Sequence, residues 1–161
     1  MKRTIKNEGF SLIEVMVAMV IAGVALVGTL GAVEVSSKHV QQGALTSKAI
    51  ELVQSRLEAK RSVRWQSLLE DDLDHDEVPE TLMTDDGQGS DRTAGDGIYT
   101  AMYERDGMTL VWMIEAERPG PLYSTAMVTI RAVVSYPGLN GQKREVQAAT
   151  IRANPYFVGP R

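Results

Sequence analysis

The feature that most constrains this chain is a run of 19 uncharged residues near its N-terminus, from Val15 to Val33. Thr29 is the only polar side chain within it. A helix that crosses a bilayer needs roughly 20 predominantly apolar residues, and the segment 10–13 extends the run on its N-terminal side. We therefore expect a membrane-spanning helix here rather than the core element of a compact domain.

The flanks of this run distinguish a retained anchor from a cleaved signal peptide. The apolar core of a secretory signal is about 7–15 residues long and ends at a small-residue cleavage site. This run is longer and leads through Glu34 into a helix-like stretch. Lys2, Arg3 and Lys6 precede it, and the positive-inside rule keeps such a basic end in the cytoplasm. The sequence predicts a retained membrane anchor with the rest of the chain on the other side of the membrane.

One acid, Glu14, lies directly beside the apolar run. A charged group deep in a bilayer costs a few kcal/mol, so acids in such positions are rare and usually functional. Burial alone leaves two interpretations open. Either Glu14 lies shallow enough to reach the lipid headgroups, or it has a partner within the membrane.

The segment Gly9-Phe10-Ser11-Leu12-Ile13-Glu14-Val15 resembles the prepilin signature of type IV pilins and type II secretion pseudopilins. That signature requires a glycine, an aromatic residue and an acid at fixed offsets, between a short basic leader and a membrane helix. The resemblance implies that prepilin peptidase cleaves between Gly9 and Phe10 and that Phe10 is N-methylated. It also implies that Glu14 faces the N-terminal amine of a neighbouring subunit and sets the register of a filament.

After residue 35 the pattern predicts that the helix continues in amphipathic form over 36–66. Its apolar positions recur at helical spacing, with Lys60 and other charged residues expected elsewhere around the helix. These apolar positions are Ala49, Ile50, Val53 and Leu57. The Ala-rich, Leu-Glu-containing stretch 49–60 is similar to that of minor pilins and minor pseudopilins.

From residue 98 onward the sequence alternates between apolar and polar residues as β-strands do. Four strands are predicted, at 98–103, 108–117, 126–136 and 144–152, with a hairpin turn at Arg105-Asp106-Gly107. The predicted fold is α+β and pilin-like: a long N-terminal helix, with a membrane half and an amphipathic half, packed on a roughly four-stranded antiparallel sheet. The expected organisation is a cleaved leader (1–9), a transmembrane and filament-core helix (10–35), its amphipathic continuation (36–66), an acidic connector (67–97) and the sheet of a globular head (98–161).

The connector is strongly acidic. Within residues 70–96 eleven acidic residues face the single Arg92, which leaves a net charge of −10. The alternating acids at 72–76 do not form an EF-hand, because Glu77 and Met83 occupy the positions that require Gly and Glu. A second cluster offers candidate Ca²⁺ ligands, or else Asp and Gly residues that serve turn geometry in a solvated loop. Its candidate ligands are Asp85, Asp86, Asp91 and Asp96.

Composition narrows the function classes. The 161 residues include no cysteine, which excludes disulfides, thiolate metal sites and cysteine nucleophiles. A net charge of −4 does not suit a nucleic-acid binder. His39 and His75 have no matching nucleophile pattern, and no HExxH, P-loop or GxGxxG motif occurs. We expect no enzyme and no cofactor other than the candidate Ca²⁺.

The resemblance implies the function of a minor type IV pilin that takes part in priming or tip assembly of a pilus. The implied partners are prepilin peptidase, other minor pilins, the major pilin, a tip adhesin and the inner membrane. The C-terminus would lie in the periplasm and later in a filament at the cell surface. Two alternatives stay open: a minor pseudopilin of a type II secretion system, and a bitopic periplasmic protein that never enters a filament.

Overall fold

The computed structural model describes residues 9–72, 79–117 and 122–158. The predicted leader, apart from Gly9, lies outside these ranges, as do His75 and the acids at 74 and 76. One long helix, α1, spans Leu12–Ser62. The chain divides between Gln41 and Gln42 into two compact units, and α1 runs through both.

The first unit contains the N-terminal part of α1. The amides of Glu14 and Val15 donate to the Ser11 carbonyl at 3.0 and 3.2 Å, so Ser11 caps the helix, which begins at Leu12. The most apolar window of α1 has a mean hydropathy of 2.3, and none of it is buried. A helix that is apolar on all sides is stable when lipid or other helices surround it. Its length and composition are those of a membrane anchor.

The second unit contains two antiparallel sheets. Two short strands, β1 (Glu70–Asp71) and β2 (Thr81–Leu82), pair with each other. The main sheet has the order β3-β4-β5-β6, and every neighbouring pair is antiparallel. Its strands are β3 (Ile98–Arg105), β4 (Met108–Ala116), β5 (Met127–Pro137) and β6 (Lys143–Ala153). The predicted α+β fold with a four-stranded antiparallel sheet is confirmed. The β1–β2 pair was not predicted.

The head has one hydrophobic core between α1 and the sheet. From α1 it takes Ala49, Val53 and Leu57, which are four residues apart and therefore share one face. The inward-facing side chains of β4 and β5 cover this face: Leu110, Trp112, Ile114, Val128, Ile130, Ala132 and Val134. They occupy alternate positions of each strand and therefore share one face of the sheet. Trp65 and Trp112 are both buried in this core.

Two side chains of α1 lie on the opposite side from the predicted one. Ile50 was assigned to the apolar stripe but is 41% exposed, because it lies about 100° around the helix from Ala49. Lys60 was assigned to the outer side but is only 1% exposed, because it continues the row of Val53 and Leu57. The helix ends at Ser62 and is followed by a short 3-10 turn at Trp65–Ser67.

Candidate functional site

The predicted cleavage site lies in exposed backbone just ahead of α1. Gly9 and Phe10 are not helical, and Phe10 is 81% exposed. A Cβ atom built on Gly9 would meet nothing within 4 Å. Packing within the described chain therefore does not require a glycine at this position. Exposed irregular segments are the backbone that proteases reach.

Phe10 and Glu14 share one face of the first unit. With Ala18 and Ala22 they recur every four residues and line a shallow groove of about 420 Å³, together with Val15 and Met19. Small alanine side chains let a second helix approach closely in an apolar environment. Among the described residues no cation forms an ion pair with Glu14. The expectation that the amine of a neighbouring subunit pairs with this carboxylate and sets the register stays a prediction.

The structure brings together three of the four candidate Ca²⁺ ligands. Carboxylate oxygens of Asp85, Asp91 and Asp96 lie within 4.8 Å of one another. Asp86 is outside this group, and its Oδ1 accepts a hydrogen bond from the Gln88 amide at 2.9 Å.

Backbone amides already occupy part of this acidic cluster. Asp85 accepts hydrogen bonds from Gly95 at 2.7 Å, from Asp96 at 3.2 Å and from Gly97 at 3.0 Å. Gly95 and Gly97 have φ values of 75° and 82°, which glycine adopts without strain. The carboxylates thus provide turn geometry. An ionised carboxylate has about four acceptor positions, so free positions remain, and Ca²⁺ binding stays a prediction.

Asp91 is the buried member of this cluster, with 6% of its surface exposed. It accepts hydrogen bonds from the amides of Gly87 at 2.7 Å and Thr93 at 3.3 Å. The bond from Gly87 is the largest cause that holds the pKa of Asp91 below its ordinary value of 3.8. Asp91 is therefore an ionised structural acceptor at neutral pH.

A buried charge cluster in the head was not predicted. Lys60 Nζ lies 2.8 Å from Asp71 Oδ2 and donates to the carbonyls of Leu68 and Glu70. Arg56 lies 2.7 Å from the other carboxylate oxygen of Asp71. Trp112 Nε1 also donates to Asp71 Oδ2, at 2.6 Å. The cluster ties α1 to β1 and β4.

The sequence holds a signal for only half of this cluster. Lys60 follows Leu57 by three residues on the apolar row of α1, and a lysine in that position is a sign of a buried cation. Asp71 carries no such signal, because it is one of eleven acids in the connector. Burial lowers the pKa of Lys60, while the nearby charge of Asp71 acts in the opposite direction.

The two histidines contribute no catalytic geometry to the described chain. His39 is an exposed residue of α1, and His75 lies outside the described ranges. The expectation that the protein is not an enzyme stays a prediction.

Comparison with known proteins bears on the N-terminal segment. Residues 5–30 match the family described as the prokaryotic N-terminal methylation motif. Gly9, Phe10 and Glu14 all lie in the matched segment, which is the leader of type IV pilins and pseudopilins. No curated protein and no solved structure matches the chain. The motif supports a type IV pilin or pseudopilin precursor and implies processing by prepilin peptidase and assembly with other pilins.

Proposed function

We propose that this chain is a minor type IV pilin that takes part in priming or tip assembly of a pilus. The observation that carries the proposal is the methylation motif at residues 5–30, placed at the start of an exposed apolar helix that continues into an α+β head. Cleavage ahead of this helix leaves the anchor attached to the head. The helix can then exchange its lipid surroundings for the packed helices of a filament.

Three sequence features support the minor class. The second half of α1 is similar to that of minor pilins and pseudopilins. The chain has no cysteine, so it lacks the C-terminal disulfide loop of many major pilins. It also has no proline before Pro79, whereas many major pilins have one in the membrane helix.

The proposed topology follows from the charges around the anchor. Lys2, Arg3 and Lys6 keep the leader in the cytoplasm, where prepilin peptidase cuts, and place the head in the periplasm. After processing, the head would be carried to the cell surface with the filament.

Glu14 has a defined part in this proposal. A carboxylate in an apolar core is tolerated when it is paired. A neighbouring helix displaced along the filament axis brings the amine of its Phe10 to this carboxylate. The alanines on the same face of α1 allow that approach. One ion pair would then fix the register between subunits.

The processing step is tested by the intact mass of the membrane-extracted protein. We expect a chain that begins at Phe10 and carries one added methyl group. Gly9→Val should retain the leader, because a β-branched side chain crowds the bond to be cut while it meets nothing within the chain. Gly23→Val is the matched control, since its Cβ also meets nothing, and it should be cleaved normally. An uncleaved leader in the wild-type protein would support the bitopic alternative.

The registration step is tested with Glu14→Val. This variant should insert into the membrane at least as well as the wild type, because a charge near the bilayer is removed. It should no longer co-purify with partner pilins. Glu34→Val removes a second exposed acid from α1 and should keep wild-type association. Wild-type levels of partner pilins with Glu14→Val would show that the pairing role is wrong.

A further inference from the structure

The two edges of the main sheet differ in how far the chain itself covers them. In an antiparallel ladder, alternate residues direct their backbone groups toward the neighbouring strand or away from it. The Ala116 amide donates to the Gly97 carbonyl, so the backbone groups of the odd-numbered residues of β3 face β4. The backbone groups of the even-numbered residues of β3 therefore point away from β4. Thr100 exchanges two backbone hydrogen bonds with Thr84, at 2.9 and 3.2 Å. The edge at β3 is therefore closed in its middle.

The opposite edge, at β6, is open. Two backbone hydrogen bonds flank the β5–β6 ladder, from the Asn154 amide to the Ala126 carbonyl and from the Gly138 amide to the Gln142 carbonyl. They show that the backbone groups of the even-numbered residues of β6 face β5. The backbone groups of the odd-numbered residues Gln147, Ala149 and Ile151 point outward. Within the described ranges, no backbone or side-chain group hydrogen-bonds to them.

Residues 146–151 of the β6 strand lack the features that usually block an edge. The strand pairs with β5 over all its residues in one continuous register and contains no proline or glycine. Natural edges are blocked by charges, prolines or bulges. Charged residues occupy the start of β6, at 143–145, but residues 146–151 are uncharged. Ile151 in this neutral part is 67% exposed.

A groove accompanies this edge between β6 and α1. Its volume is about 610 Å³, and its lining includes Ala149, Thr150 and three α1 residues on one helix face, Glu51, Ser55 and Glu58. Glu58 is paired with Arg61 at 3.1 Å. Among the described residues Glu51 forms no ion pair. The groove therefore carries one uncompensated negative charge.

We propose that β6 accepts an extended segment of another protein subunit as an added strand, with lysine or arginine side chains on the face toward α1. Backbone bonds to Gln147, Ala149 and Ile151 would supply the pairing, as in other cases of strand addition. Alternate side chains of the segment would lie over Glu51 and Glu58. The remaining ones, small or apolar, would lie beside Ala149 and Ile151. This surface belongs to the head and does not depend on processing at Gly9.

The test measures binding of a fluorescent peptide to the full chain in a neutral detergent. The probe is a synthetic peptide in which lysine alternates with valine, and its control has glutamate in place of lysine. We expect the lysine peptide to bind about tenfold tighter or more. Ala149→Pro removes an outward N–H but no β5–β6 bond, and should weaken binding by about tenfold or more. Met102→Pro is the matched control at an outward position of β3 and should leave binding unchanged.

A second variant keeps the proposal testable if the proline disturbs folding. Glu51→Lys changes an exposed side chain and should shift the preference toward the glutamate peptide. Equal affinity of the wild type for both peptides would overturn the proposal. So would unchanged binding in Ala149→Pro with a wild-type melting temperature. A dimer of the chain formed through β6 would show that the occupant is a second copy, and would overturn it too.

Discussion

Lys60 has 1% of its surface exposed, although an ammonium group is costly to remove from water. Its three N–H donors match three acceptors, Asp71 and the carbonyls of Leu68 and Glu70. Asp71 in turn holds Arg56, whose guanidinium lies 4.5 Å from the centroid of a Trp112 ring. The single carboxylate of Asp71 therefore lies between two cations and is the only acid that pairs with either of them among the described residues. Removing the charge of Asp71 leaves Lys60 buried without its only ionic partner among the described residues.

Asp71→Asn should lower the free energy of unfolding of the head by about 3–5 kcal/mol, because Lys60 loses its counter-charge in a buried position. Lys60→Met should lower it by less, about 1–3 kcal/mol, because Asp71 loses one donor but keeps Arg56 and Trp112, and the other groups that lose a donor are uncharged backbone carbonyls. Denaturant unfolding of the full chain, followed by tryptophan fluorescence, measures both.

Lys48→Met is the control for this pair of variants. It removes an exposed ion pair with Asp106, and its effect should stay within about 1 kcal/mol. An effect of Asp71→Asn no larger than that of Lys48→Met would contradict the role assigned to the buried cluster.

The lowered pKa of Asp91 predicts that the stability of the head falls at acid pH. Its pKa in the folded head lies below the ordinary 3.8, mainly because of the Gly87 amide. The stability it contributes is fully present above pH 3.8 and is lost as the pH falls through the lower folded pKa. Asp91→Asn should therefore lower the melting temperature at neutral pH and flatten its fall below pH 3.8. Parallel curves of melting temperature against pH for the variant and the wild type would contradict this.

At the scale of elements, the sequence predicted the helix and the strands whose apolar residues recur with a regular local period. The β4 and β5 strands alternate regularly, and Asp106-Gly107 marks the turn before β4, where Asp106 has a φ of 52°. The β1–β2 pair has two residues in each strand, too few for any period to show. The open edge at β6 also had no sequence signal, because it depends on which strands pair across the whole sheet.

The acidic loop shows the same limit at a candidate site. The sequence pointed to four aspartates, and three of them come together. Asp86 has the same side chain as the other three and directly follows Asp85, so composition gave no reason to separate it. Its hydrogen bond to Gln88 depends on the conformation of the turn.

Asp85→Ala should lower the melting temperature of the full chain in the presence of a chelator, because three backbone amides lose their acceptor. For the wild type we expect equal melting temperatures with Ca²⁺ and with the chelator. A higher value with Ca²⁺, absent in Asp85→Ala and weaker with Mg²⁺, would show ligation instead.

At the scale of the whole molecule, one helix serves two kinds of surroundings. The composition of α1 changes after residue 33, where charged residues return. The sequence therefore predicted which part is an anchor and which part packs on a sheet. It could not identify the partners of the head, because the surface proposed to bind another subunit is formed by residues distant in sequence, such as Glu51 and Ala149.

The unequal edges of the sheet also limit how many molecules can join in this way. In cross-β polymers every sheet presents two free edges, so each added chain creates a place for the next. In this head Thr84 already occupies the middle of the β3 edge, and β6 is left as the open one. Within the described residues the main sheet thus offers one open edge, and the proposed strand addition would have a valency of one. Edge-to-edge growth by this route would end after a single step, even where many copies are crowded together.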